Sequence, residues 1–122
     1  VEPEGQKFED QMSVSAPFSP MGNTVTFTAN VAAPNAVQAN STTPGANNYE
    51  FVNLGNVVVH VGAGTSNATA VANALIPGAN SAPSIPLAPG ATLVWSFGPN
   101  FFFTGITSSG TAVVYVTPGD GA

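Results

Sequence analysis

Residues 24–31 alternate strictly between apolar and polar positions, with Val25, Phe27, Ala29 and Val31 on one face and Thr24, Thr26, Thr28 and Asn30 on the other. Period two with threonine on the wet side marks a half-buried β-strand. Two further apolar-rich stretches, 49–54 and the valine run 57–61, are separated by Gly55-Asn56. Two residues of that kind between strands predict a tight hairpin with a type II′ turn. In its register Leu54 faces Val57, Val52 faces Val59 and Glu50 faces Val61, and that side, apart from Glu50, is the expected core face. Tyr49, Phe51, Asn53, Val58 and His60 then point the other way, onto a face more apolar than solvent requires.

Further along, Leu93, Trp95 and Phe97 share one face of a strand over 91–97. Residues 101–107 and 111–117 read as a second hairpin across Ser109-Gly110. Phe101, Phe103, Ala112, Val114 and Val116 point one way in it, and Phe102, Ile106, Val113 and Tyr115 the other. Residues 32–48 read mostly as loop. Over 68–76 a short helix capped by Asn67 is one reading, but Thr69, Val71 and the nearby Pro77-Gly78 favour extended chain. Pro-Gly pairs at 44–45, 77–78, 89–90 and 118–119 predict type II turns, because proline presets φ at the first central position and glycine supplies positive φ at the second. The fold class expected is all-β: a single antiparallel β-sandwich, jelly-roll-like, over residues 22–122, with residues 1–21 as an extended N-terminal arm.

Charge sharpens this division. Glu2, Glu4, Lys7, Glu9 and Asp10 lie in the arm, so residues 11–122 keep only Glu50 and Asp120 as formal charges, with His60 the one histidine. Typical soluble domains are about a quarter charged. With a net charge of -5 and a single cation, the chain has no basic footprint for nucleic acid or for an anionic membrane surface. No apolar run approaches the roughly 18 residues of a membrane span. Cysteine is absent, which removes disulfides, thiol nucleophiles and thiolate metal sites.

The same scarcity limits catalysis. A nucleophile–base–acid arrangement would have to use His60 with Glu50 or Asp120, and the hairpin register puts Glu50 and His60 on opposite faces. Two carboxylates of a glycosidase would have to be Glu50 and Asp120, the latter in a glycine-flanked tail. Glu9-Asp10 is the sole acidic pair, too little for a calcium loop. Gly62-Ala63-Gly64-Thr65 follows a strand but lacks the lysine and the helix of a phosphate loop, so it reads as a turn. Asn40-Ser41-Thr42 and Asn67-Ala68-Thr69 match the N-glycosylation pattern, as an Asn- and Thr-rich chain does by chance. Trp95 with Tyr49, Tyr115 and 101–103 could form a sugar-binding platform, though its period-two neighbours Leu93 and Phe97 place Trp95 in the core. No enzyme, cofactor or metal is expected.

A nearly uncharged body suits a surface covered by neighbours, since charge is depleted at interface cores and apolar patches mark contacts. Phe8, Phe18, Tyr49, Phe51, Val58, Phe102, Ile106, Val113 and Tyr115 are the candidate partner contacts. The run Phe51-Val52-Asn53-Leu54-Gly55-Asn56-Val57-Val58-Val59-His60-Val61-Gly62, then Ile85-Pro86-Leu87-Ala88-Pro89-Gly90, then the closing stretch 111–121 resembles small virion proteins of tailed bacteriophages, of the capsid decoration or cement kind. The resemblance covers roughly residues 48–121 and carries no catalytic residues. It implies a structural protein on the outer surface of a phage capsid, homo-oligomeric, binding across major capsid subunits. The alternative is a head-fibre, tail or carbohydrate-binding module that uses the aromatic residues.

Overall fold

The computed structural model describes residues 17–40, 47–78 and 82–121. Within them the chain forms strands β1 (Ser19–Pro20), β2 (Val25–Ala29), β3 (Val37–Gln38), β4 (Asn48–Asn53) and β5 (Val59–Gly64), then helix α1 (Asn67–Asn73) and strands β6 (Ile85–Leu87), β7 (Thr92–Ser96), β8 (Phe102–Ile106) and β9 (Ala112–Asp120). Two antiparallel sheets pack face to face, as expected of an all-β sandwich. The first sheet runs β1-β9-β4-β7, with β2 beside β1 on the same edge of β9; the second runs β3-β8-β5-β6. Residues 1–16 of the expected arm, Phe8 among them, lie outside the described residues. Its last residues join the first sheet, Ser19 opposite Asp120 and Pro20 opposite Gly119.

Pairing is nested: β2 with β9, β3 with β8, β4 with β7, and β5 with β6. Every connection from β2 to β9 except β5–β6 therefore crosses between sheets. Both expected hairpins are overturned by this. β4 and β5 lie in different sheets, as do β8 and β9, and each pair is joined by a five-residue arch, 54–58 and 107–111. Leu54, which a hairpin would tie to Val57, instead donates its N–H to the Val113 carbonyl (2.9 Å).

Buried polar side chains hold these crossings. Asn53 Nδ2 donates to the Val57 (2.9 Å) and Leu87 (3.0 Å) carbonyls, and its Oδ1 accepts from Gly55 N–H (2.8 Å). Thr107 Oγ1 donates to the Gly110 carbonyl (2.7 Å) across the second arch. Thr104 Oγ1 donates to the Pro34 carbonyl (2.8 Å) and ties down the loop before β3. An interior amide that satisfies three backbone groups is far better placed than one facing water, because orphaning those groups costs free energy.

That amide also reverses the expected phase of β4. Tyr49, Phe51 and Asn53 point inward, while Glu50, Val52 and Leu54 point out. The phases of β2, β8 and β9 are as expected over the strands themselves: Phe27, Ala29, Phe103, Ala112, Val114 and Val116 are buried. Val31 is not, because β2 ends at Ala29 and the chain departs at Asn30, whose carbonyl accepts from Thr107 N–H (3.0 Å). The core joins these residues to Val59, Val61 and Leu87 of the second sheet. Tyr49, Phe51, Trp95, Phe97, Phe101 and Phe103 form one aromatic cluster between the sheets, with edge-on pairs such as Phe51–Phe103 at 5.1 Å between centroids. Such geometry matches the ring quadrupoles.

Helix α1 replaces the extended chain expected there. Ser66 caps it rather than Asn67, its Oγ accepting from Thr69 N–H (3.2 Å); Asn67 Oδ1 instead accepts from Ala36 N–H (2.6 Å). Seven residues do not sustain a helix in water, so its stability comes from packing on the second sheet. Of the Pro-Gly pairs, 89–90 forms the expected type II turn: Gly90 has φ 72° and Ala91 N–H reaches the Ala88 carbonyl (3.0 Å). Pro118-Gly119 instead runs within β9, and Gly78 does not take positive φ. The pair at 44–45 lies outside the described residues.

Candidate functional site

Gly62 and Gly64 point outward from β5, and there they seat α1. A Cβ on Gly62 would strike the Ala70 carbonyl and the Ala74 backbone N; one on Gly64 would lie 2.7 Å from the Thr69 side chain. Asn73 Nδ2 fastens the end of the helix to the Ala63 carbonyl (2.8 Å). The glycine pair is thus part of a strand that a helix covers, and neither a turn nor a phosphate loop. Phe102 and Ile106 are half-buried on this helix-bearing side of the second sheet, beside Gly64 and His60 respectively. Val58 is exposed in the arch after β4.

The first sheet has no such cover among the described residues. Its outer face is ordered in rows: Thr28 beside Val113, then Thr26, Tyr115, Val52 and Thr92, then Thr117, Glu50 and Val94. Leu54 continues the first row through its hydrogen bond to Val113. Leu54 is 57% exposed, Tyr115 43% and Val113 38%, and they sit together around the half-buried Val52. Hydroxyls frame the patch and are themselves oriented: Thr26 Oγ1 donates to the Val114 carbonyl (3.1 Å), and the Thr24 and Thr117 hydroxyls share a bond of 2.7 Å. Glu50 is the one charge in these rows. The face can therefore bury apolar area and exchange hydrogen bonds with little charge to desolvate.

Of the expected contact residues, Val113 and Tyr115 lie on this face. Tyr49 and Phe51 do not; both are wholly buried in the core, which corrects their assignment as partner contacts. The Tyr49 hydroxyl donates to the Gly98 carbonyl (2.7 Å), and burial raises its pKa above the ordinary 10.0 against the lowering effect of backbone hydrogen bonds from Phe101 and Asn100. Phe18 is half-buried over Gly119, where a Cβ would lie 2.5 Å from its ring. Sequence reasoning missed Leu54 and Val52 as surface residues. The signal that could have found them is Asn53, whose type is suited to a chain crossing.

Titratable groups are dispersed. Glu50 is on the outer face of the first sheet and His60 on the outer face of the second, so the thickness of the sandwich separates them. His60 Nδ1 is buried and without a hydrogen-bond partner among the described residues. No group of three or more His, Asp or Glu side chains comes together among those residues, and no helix among them is long and apolar enough to cross a membrane. The chain matches no family model, no curated protein and no solved structure.

Proposed function

We propose that this chain is a structural virion protein that decorates the outer surface of a bacteriophage capsid and stabilises it by binding across major capsid subunits. The observation that carries the reading is the outer face of the first sheet, where Leu54, Val113, Tyr115 and Val52 lie exposed or half-exposed among threonines with one carboxylate. A face of that kind docks by burying apolar surface and pairing hydroxyls, and a modest contact becomes strong when a lattice repeats it. Nested pairing of eight strands, β2/β9, β3/β8, β4/β7 and β5/β6, supports a jelly roll, an architecture used by viral capsid proteins and by lectins.

The test compares capsids carrying the protein with capsids stripped of it. Decorated shells are expected to withstand higher temperature and internal pressure before opening. Equal resistance of the two preparations would remove the stabilising role.

A further inference from the structure

Sheets end in edges, and an edge strand with unpaired N–H and C=O groups is a template for another strand unless something blunts it. In this fold β6 carries Pro86, β1 carries Pro20, β3 is two residues long, and β2 packs against β3 and β8 of the other sheet. β7 has none of these protections: Thr92-Leu93-Val94-Trp95-Ser96 contains no proline, glycine or charge, and it ends the first sheet.

The pairing with β4 fixes which groups are free. Phe97 N–H reaches the Asn47 carbonyl (2.8 Å) and Asn53 N–H reaches the Ala91 carbonyl (3.0 Å), so the bonded pairs between these strands are 47/97, 49/95, 51/93 and 53/91. By the alternation of an antiparallel ladder, the N–H and C=O groups of Thr92, Val94 and Ser96 point to the open edge. They have no partner strand among the described residues.

We propose that this edge binds a second copy of the chain, β7 to β7, antiparallel about a two-fold axis at Val94. This inference is independent of the capsid reading. The sequence of β7 is self-complementary about that axis. Val94 meets Val94 of the other copy, Leu93 meets Trp95, and Thr92 meets Ser96. Apolar pairs with an aromatic and Thr–Ser pairs are favourable cross-strand neighbours. The three residues with free backbone groups become the three bonded positions, so every open group on the edge is satisfied. Leu93, on the inner face yet 40% exposed, gains the cover of a tryptophan already leaning on Phe51 (4.8 Å between centroids). Charge does not oppose the pairing: the two Glu50 carboxylates, each opposite its own Val94, would stand three strand spacings apart, roughly 14 Å. That exceeds the Debye length of about 8 Å at physiological salt.

Sedimentation equilibrium on the full chain tests this. The weight-average mass is expected to rise with concentration from 12.2 kDa to twice that value. Val94→Pro deletes an N–H that β4 does not use, so it is expected to retain the native circular dichroism and to stay monomeric at all concentrations. Should that variant fail to fold, Val94→Lys keeps the N–H and places two cations at the axis; it is expected to dissociate the dimer at low salt and to regain association at high salt. A wild-type chain that remains a monomer at millimolar concentration would overturn the proposal. So would a folded Val94 variant that self-associates as the wild type does, or an odd-numbered oligomer.

Discussion

The two sheets of this sandwich are alike on the inside and opposite on the outside. Inward, both present Val, Phe and Tyr or Leu at period two. Outward, the second sheet gives up side chains at Gly62 and Gly64 so that α1 can lie against its backbone, whereas the first sheet fills the same kind of position with Val52, Val113 and Tyr115, which no described residue covers. A chain that can cover one sheet with its own helix has the means to cover the other. Among the described residues, then, one outer face is packed by the chain itself and the other is open to a partner.

The contrast breaks most severely at Gly62. Val in its place would drive methyl groups into the Ala70 carbonyl and the backbone of Ala74, which are not flexible side-chain ends that can swing aside. Overpacking of this kind costs about 3 kcal/mol. Denaturant melts of Gly62→Val are expected to show that loss, and a melt superimposable on the wild type would mean that α1 does not press on β5. Next in size is Asn53→Ala, which orphans the Val57 and Leu87 carbonyls and the Gly55 N–H at the arch between the sheets. A loss of about 2 kcal/mol is expected from those buried groups. An Asn53→Ala variant as stable as its parent would show that the arch holds itself.

Tyr49 gives a smaller and pH-dependent effect. Its hydroxyl has a folded pKa above the ordinary 10.0 through burial, so the native state prefers the protonated form. The sign follows: its contribution is fully present below pH 10 and is lost as the pH rises past that value towards the folded pKa. Tyr49→Phe gives up the bond to the Gly98 carbonyl, about 1 kcal/mol at neutral pH, and flattens the alkaline fall in stability. Unfolding curves taken from pH 8 to pH 11 would test both parts; an unchanged alkaline slope in Tyr49→Phe would assign the fall to other groups.

How much of this was legible in the sequence depended on whether alternation was interrupted by a chain crossing. β2 and β9 disclose their inward residues because Phe27, Val114 and Val116 alternate with polar or exposed neighbours inside each strand, and in β8 Phe103 takes the expected inward place beside a half-buried Phe102. β4 conceals its phase. Both of its faces carry apolar residues, and a hairpin register with 57–61 puts Tyr49, Phe51 and Asn53 outward and Leu54 inward. That register rests on the two-residue turn signal at Gly55-Asn56, and local turn chemistry does not distinguish a hairpin from an arch that changes sheets. The helix was hidden for a related reason: its sequence is weak by itself, and what stabilises it is a pair of glycines on a strand earlier in the chain. For the candidate site, Val113 and Tyr115 are readable from the phase of β9 and Val94 from that of β7, while Leu54 and Val52 require the pairing of β4 with β9.

The smallest effect on stability is expected where the proposed function is most sensitive. Tyr115→Ser removes an exposed ring from the face of the first sheet without opening a cavity, and its neighbours Thr26 and Val52 keep their places in the ladder. Surface substitutions of this kind stay within about 0.5 kcal/mol. The docked face, however, would lose its largest exposed side chain, so occupancy on stripped capsids should fall steeply while the melt of the free protein barely moves. The pairing of those two measurements separates the sheets: a Phe102→Ser variant on the helix-bearing side should disturb the fold more than the occupancy. If Tyr115→Ser bound shells as well as the wild type and Phe102→Ser did not, the docking face would belong to the second sheet, and the bare first sheet would need another explanation.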